Sequence, residues 1–246
     1  MIRRELFPEN YTEGMKKPRL SRLEENRMMK RLHDQDYQKL YLIFTEGTKT
    51  EPYYFEGFKK AIESTGRKSI LIEVVGVGRA TTQLLKAADE FIETFQIENA
   101  EVWLLSDKDE FPDSQFNELI LQAKKRDREK FMNNYWHCGW SNECFELWFI
   151  LHFSFYQAAA NRNEYFRMLK EQFRKLKLGD YKKNSADIFR ILTEYGNPKL
   201  ALAYAKKLYR EKERMNPSRA VPCTTVYQLV EELARYLPAD LKARYF

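Results

Sequence analysis

The sequence predicts an α/β fold: a mostly parallel sheet flanked by helices on both faces, with a C-terminal helical extension. Three observations carry this reading. Four short runs rich in β-formers, at residues 40–45, 69–75, 101–106 and 134–140, alternate with segments of helical spacing, the pattern of βαβ units. After residue 140 the alternation stops and only helical patterns follow. Two of the runs close in short acidic clusters, Glu46-Gly47 and Asp107-Lys108-Asp109, and the carboxyl ends of strands are where open α/β sheets bind ligands.

The elements follow in order. Residues 1–38 are polar and charge-mixed and read as an N-terminal arm, with a charged helix over 20–36. Leu40–Thr45 is the first strand. Thr50-Glu51-Pro52 opens a helix to about Ser64, with Thr50 as its cap, since a hydroxyl cap followed by acid and proline suits a first turn. Ser69–Val75 is the second strand, ended by Gly76-Val77-Gly78. A helix from Thr81 or Thr82 to about Ile97 carries Leu84, Leu85, Ala88, Phe91, Ile92 and Phe95 at helical spacing. Glu101–Ser106 is the third strand, and Pro112-Asp113-Ser114 starts a helix to about Phe131. Asn134–Trp140 is the fourth strand. Helices are then expected over Glu143–His152, Glu164–Leu176, Ser185–Glu194, Leu200–Met215 and Thr225–Leu237, broken by Gly179, Gly196-Asn197-Pro198 and Asn216-Pro217-Ser218. The organisation is an arm (1–38), an α/β core (39–140) and a helical extension packed on it (141–246).

The chain has 246 residues, 43% hydrophobic and 15% aromatic, enough for a sizeable core. No apolar run approaches the ~18–20 residues of a membrane span, and the first residues lack the apolar stretch of a signal peptide. Cys138, Cys144 and Cys223 are too few for a disulfide framework or a zinc site. These features predict a reduced, cytoplasmic protein with no membrane partner. The net charge of +6 is unevenly spread: residues 41–160 sum to −6 and residues 161–219 to +9. A basic segment beside an acidic body suits a polyanionic substrate brought to carboxylates by a cation; a solvated helix face explains the lysines and arginines equally well.

Three constellations stand out. Glu46 ends a strand before Gly47, which permits close backbone approach; Glu51 is either part of the same site or a first-turn carboxylate favoured by the helix dipole. Asp107 and Asp109, at i and i+2, can lean toward one hard cation. A calcium loop is excluded, because Pro112 and Glu118 stand where it needs glycine and glutamate. In Ser141-Asn142-Glu143-Cys144-Phe145-Glu146-Leu147-Trp148, Ser141 or Asn142 caps a helix and Glu146 sits among apolar residues. A carboxylate there is costly unless paired or metal-bound, with a buried arginine bridge as the bland alternative. Arg79, after Gly76-Val77-Gly78, and Lys182 and Lys183 are candidate phosphate contacts. Tyr165, Phe166, Phe173 and Tyr181 read as helix-packing residues before base-stacking ones. His33, His137 and His152 lack metal-ligand spacing, and Cys144 reads as a core thiol.

These motifs together resemble the RloB-like proteins. The resemblance rests on Leu42-Ile43-Phe44-Thr45-Glu46-Gly47 with Thr50-Glu51-Pro52 and Tyr54-Phe55, on Asp107-Lys108-Asp109-Glu110, on Ser141-Asn142 with Cys144-Phe145-Glu146-Leu147-Trp148, on Tyr181 and Lys183, and on Asn216-Pro217-Ser218 followed by residues 226–232. Glu143 departs from the pattern, which usually has proline there. The resemblance implies a TOPRIM-like Rossmannoid core, whose sites pair a strand-end glutamate with a D-x-D strand end and bind Mg²⁺. It also implies a role in antiviral defence, since such genes lie beside restriction–modification genes. The expectation is a Mg²⁺-dependent nuclease, with Mn²⁺ able to substitute, cutting RNA or DNA in an abortive-infection response. Glu46, Asp107, Asp109 and Glu146 would be catalytic, and the first three would be the metal ligands. Glu51, Asn142 and Glu143 would support them, and Arg79, Lys182 and Lys183 would bind nucleic acid. The alternative is a non-catalytic nucleic-acid or partner-binding module of a defence complex. A partner protein from the same system and homo-oligomerisation are compatible with either.

Overall fold

A computed structural model describes residues 22–32, 37–78 and 81–246. The chain divides into two units, residues 1–33 and 34–246. In the first, the expected charged helix is α1 (Arg22–Leu32); the rest of the arm and Arg79 lie outside the described residues.

The second unit is built on a five-stranded sheet, β1 (Lys39–Thr45), β2 (Ile70–Gly76), β3 (Ala100–Asp107), β4 (Tyr135–Asn142) and β5 (Cys223–Thr224), in the order β2-β1-β3-β4-β5. The first four are parallel, and β5 joins β4 antiparallel through Ser141↔Thr224 and Asn142↔Cys223. The crossovers are α2 (Thr50–Glu63), α3 (Thr81–Phe95) and α4 (Asp113–Glu129). The chain leaves β1 toward β2, then returns past β1 to β3 and β4. With right-handed crossovers, that reversal places α2 on one face and α3 and α4 on the other. It also opens a crevice at the carboxyl ends of β1 and β3. Glu46 and Asp107 stand at those two ends.

Both faces are covered, so β1 is buried at every position after Lys39, as a central parallel strand should be. The period of two divides its side chains. Phe44 turns to α3, where it meets Phe91 edge-on at 5.4 Å. Tyr41 and Ile43 turn to a larger core shared by α2, α5 (Glu146–Ile150), α6 (Arg162–Lys175), α7 (Ile188–Tyr195), α8 (Pro198–Lys212) and α9 (Tyr227–Ala234). A short α10 (Ala239–Lys242) follows. Tyr54 of α2 is the hub of this core, in ring contact with Phe55, Phe58, Phe145, Phe149 and Phe189. Tyr165, Phe173 and Tyr181 are buried in it too, which is the helix-packing role.

The differences from expectation have local causes. Thr50 is the first helical residue of α2; Lys49 precedes it and makes no side-chain cap. Ser141 and Asn142 extend β4 instead of capping a helix, because each has a better tertiary partner. The Ser141 hydroxyl lies 3.0 Å from that of Thr224, and the Asn142 amide donates to the carbonyls of Pro217 and Ser218 at 3.0 and 2.9 Å. The helix expected over Glu143–His152 is therefore only the five residues of α5. α7 starts three residues later than expected. α8 starts two earlier, with Asn197 accepting from the Leu200 amide at 3.0 Å and Pro198 at the first helical position, where its fixed φ is pre-set for a helix.

Gly57 marks how closely α2 meets α7. A Cβ built there would lie 2.2 Å from Cβ of Phe189. Gly57→Ala would gain about 1 kcal/mol of helix propensity and lose more by prising the helices apart, about 1–3 kcal/mol. The expected result is a melting temperature lowered by several degrees. A variant as stable as the wild type would show that this interface yields freely.

Candidate functional site

Glu46 follows β1 directly. Its N–H donates to the Leu105 carbonyl at 3.1 Å, and its Oε2 accepts from the Ser106 hydroxyl at 3.0 Å. Ser106 and Asp107 are successive strand residues, so they face opposite sides of the sheet. Glu46 thus shares the side of Ser106. Asp107, the last residue of β3 and 8% exposed, turns toward α2 and α5. Its carboxylate accepts from the Phe145 amide and feels the charges of Glu51, Asp109 and Glu146. Glu46 reaches this side through its charge on Glu51, and among the described residues no group of three or more His, Cys, Asp or Glu side chains is placed to hold a metal ion.

Asp107, Asp109, Glu51 and Glu146 do form one electrostatic cluster. Burial, then repulsion from Glu51, Asp109 and Glu146, lifts the Asp107 carboxyl well above its usual range. Glu51 is pushed up to about 7, first by burial and then by Glu146 and Glu46, against amide donors at Gly47 and Glu51. Asp109 is raised as well: burial outweighs the Arg162 guanidinium, and Glu143 and Glu146 add repulsion. Glu146 opens α5, is 2% exposed, and accepts from the Tyr181 hydroxyl at 3.1 Å. That phenol, rather than an arginine, is its hydrogen-bond partner.

The turn after β3 is firmly built. The Lys108 and Asp109 amides donate to the Ser141 and Glu143 carbonyls at 2.9 and 3.0 Å. The Lys108 ammonium folds back onto the Phe111 carbonyl at 2.6 Å and Asp113 at 3.3 Å. Asp109 has φ of +37°, left-handed backbone that aspartate tolerates better than most residues. Gly47 serves close approach, but of Glu51: a Cβ there would lie 2.5 Å from Glu51 Oε2. The Val77 and Gly78 amides donate to the Thr45 and Glu46 carbonyls at 2.9 and 3.0 Å, so they bind the loop after β1.

Of the supporting residues, Glu143 lies beside Asp109, whereas the Asn142 amide anchors the 217–218 segment. Lys182 and Lys183 are exposed; Lys183 lies 4.8 Å over the Phe166 ring and its charge reaches Asp109. Lys182 acts on Asp180. Three contributors were not foreseen: Ser106, the phenol of Tyr181 as partner of Glu146, and Arg162, whose guanidinium hydrogen-bonds Asp109 and stands 3.9 Å from Asp107. Strand alternation flags Ser106 only once Glu46 is known to adjoin it, and Arg162 reads in sequence as an ordinary charged helix residue. The histidines have structural partners: His137 pairs with Glu101 at 2.7 Å and His152 with the Trp148 carbonyl at 2.9 Å. Cys144 is buried.

The cluster's carboxylates and the Tyr181 phenol present oxygen, which suits a hard cation such as Mg²⁺, with the Cys144 thiol beside Glu146; burial and mutual repulsion raise Asp107, Asp109 and Glu51. Because the folded pKa of Glu51, about 7, lies above its ordinary 4.5, folding favours the protonated form. That contribution is complete below pH 4.5 and lost as the pH rises through about 7. In EDTA, the wild type should lose about 1–3 kcal/mol more than Glu51→Gln across this window, read by urea unfolding at fixed pH. Parallel profiles for the two proteins would contradict the placement of Glu51.

No curated protein and no solved structure matches the chain in comparison. A family model, RloB-like protein, matches residues 41–233, from the start of β1 to the end of α9 and well over half the chain. The chain belongs to the RloB-like protein family.

Proposed function

We propose that this protein is a metal-dependent nuclease of an antiviral defence system, acting at the crevice between β1 and β3. The observation that carries the reading is the gathering of Asp107, Asp109, Glu51 and Glu146 at one strand end, where burial and mutual repulsion hold the carboxyls of Asp107, Asp109 and Glu51 above their usual range. Asp107 and Asp109 would hold Mg²⁺, with Mn²⁺ able to replace it. When bound, the cation would supply Lewis-acid activation of a phosphodiester and a template for its oxygens. Glu46, steadied by Ser106, would exchange a proton with the attacking or leaving oxygen. Glu146, held by Tyr181, would keep Asp107 in place. Lys182 and Lys183 would fix the backbone phosphates without reading bases. The strand-end glutamate with a D-x-D strand end is what the TOPRIM-like expectation requires, and family membership supports the defence role.

A second reading is favoured by one observation: Arg162 already stands against Asp109 and Asp107, so the site has a cation of its own. In that reading the protein is a binding module for nucleic acid or a defence partner.

Incubation of the purified chain with transfer RNA, plasmid and single-stranded DNA, each in Mg²⁺, Mn²⁺ or EDTA, separates the two. The nuclease reading expects cleavage of one pool that stops in EDTA and falls by at least about 100-fold in Asp107→Ala and in Glu46→Gln, both still folded by circular dichroism. Binding that persists in EDTA and weakens steeply with salt, without cleavage of any pool, would favour the module.

A further inference from the structure

Arg162 is the first residue of α6, and a capping box fixes where that helix begins. The Asn161 side chain accepts from the Glu164 amide at 3.1 Å, and the Glu164 carboxylate accepts from the Asn161 amide at 2.9 Å. The backbone under Arg162 is therefore held while its long side chain reaches the cluster. There Nη2 bonds Asp109 and lies 3.9 Å from Asp107. The guanidinium engages through that one terminal nitrogen, and its Nε–H is buried without an acceptor. A strong arginine–carboxylate bridge uses two parallel N–H donors. This contact supplies positive charge to both aspartates without that geometry. The side chain is also 40% exposed, so a path to solvent exists.

We infer that Arg162 is a resident counterion occupying the place of the divalent cation, so that Arg162 and the cation exclude each other between Asp107 and Asp109. This inference rests on the metal-dependent reading above. The donors match, since two aspartates that hold one guanidinium nitrogen present the same oxygens to Mg²⁺. Entry of the cation then requires the guanidinium to swing out. Once released, it remains tethered to the rigid start of α6, near Lys183 at the rim. A planar fork there suits the phosphate oxygens of a polyanionic substrate. Cation and substrate phosphate thus favour the same arrangement, with Arg162 out, so each raises the affinity for the other.

The test is Mn²⁺ binding to the full chain, followed by the loss of the free-ion electron paramagnetic resonance signal. It compares wild type, Arg162→Gln, Arg162→Lys and Asp107→Ala, with melting temperatures in EDTA alongside. The expected result is Mn²⁺ affinity about tenfold higher in Arg162→Gln than in wild type, intermediate in Arg162→Lys, and absent in Asp107→Ala. In EDTA, Arg162→Gln should melt below wild type, because the aspartates lose their counterion. Should Arg162→Gln fail to fold, the lysine variant carries the comparison, since it keeps the charge and loses the fork. If wild type binds Mn²⁺ and neither arginine variant binds more tightly, Arg162 does not occupy the cation's place and the inference falls while the metal reading stands. If no protein in the series binds Mn²⁺, the metal reading falls and takes the inference with it.

Discussion

Asp107 is an ionisable carboxyl almost wholly removed from water, beside three others that repel it. Burying one unpaired charge is expensive, and a second of the same sign raises the cost. The surrounding architecture offsets that cost piece by piece. The Phe145 amide donates to Asp107, the Gly47 and Glu51 amides donate to Glu51, and Tyr181 donates to Glu146. Arg162 brings a full positive charge that hydrogen-bonds the Asp109 carboxylate and lies 3.9 Å from Asp107. These donors leave the carboxyls of Asp107, Asp109 and Glu51 still raised. A core selected for stability alone would place apolar side chains here, and this excess of acid is what the proposed function rests on.

The sheet makes this concentration of acid feasible. Reversal of the winding direction between β1 and β3 opens the crevice at their carboxyl ends, and α2 and α5 reach into it with Glu51 and Glu146. The loops there are pinned by backbone bonds: Glu46 to Leu105, Gly78 to Glu46, Lys108 to Ser141 in β4, and Asp109 to Glu143 just after it. Each acidic residue therefore sits on a strand end or on a turn tied to a neighbouring strand, and only Glu51 and Glu146 come from helices. A charge held on so rigid a frame cannot relax away from its neighbours, so repulsion adds to burial in raising these carboxyls.

How much of this was legible in the sequence follows from the range of each interaction. The four parallel strands and the crossovers between them are written in local patterns of β-formers and helical spacing, and the structure places them within a few residues of expectation. The positions of Asp107 at the end of β3, Asp109 in the turn after it and Glu46 after β1 were legible because the strand ends themselves were. The alternation of β3 also gives Glu46 the neighbour Ser106, a pairing across strands that neither residue's local sequence shows. The strand β5 has two residues and no period to detect; its partners lie over eighty positions away at Ser141 and Asn142. Those same partners turned an apparent helix cap into strand. Arg162 belongs to this long-range class. Nothing within ten residues distinguishes it from Arg167 or Arg174, which pair locally with Glu171 and Asp180 on exposed faces.

The division of charge along the chain acquires a spatial meaning from this site. The acidic stretch, net −6 over residues 41–160, supplies Glu46, Glu51, Asp107, Asp109, Glu143 and Glu146. The basic stretch, net +9 over residues 161–219, begins with Arg162 and includes Lys183, the two cations whose charges reach Asp109. Sheet and helical segment meet where their charges are most opposed. A polyanion approaching from the basic side would find its phosphates welcomed by lysines and repelled at the aspartates, unless positive charge stands between phosphate and carboxylate. Arg162 provides one such charge. The sequence order of acid first and base second thereby brings opposite charges together at Asp109 and Arg162.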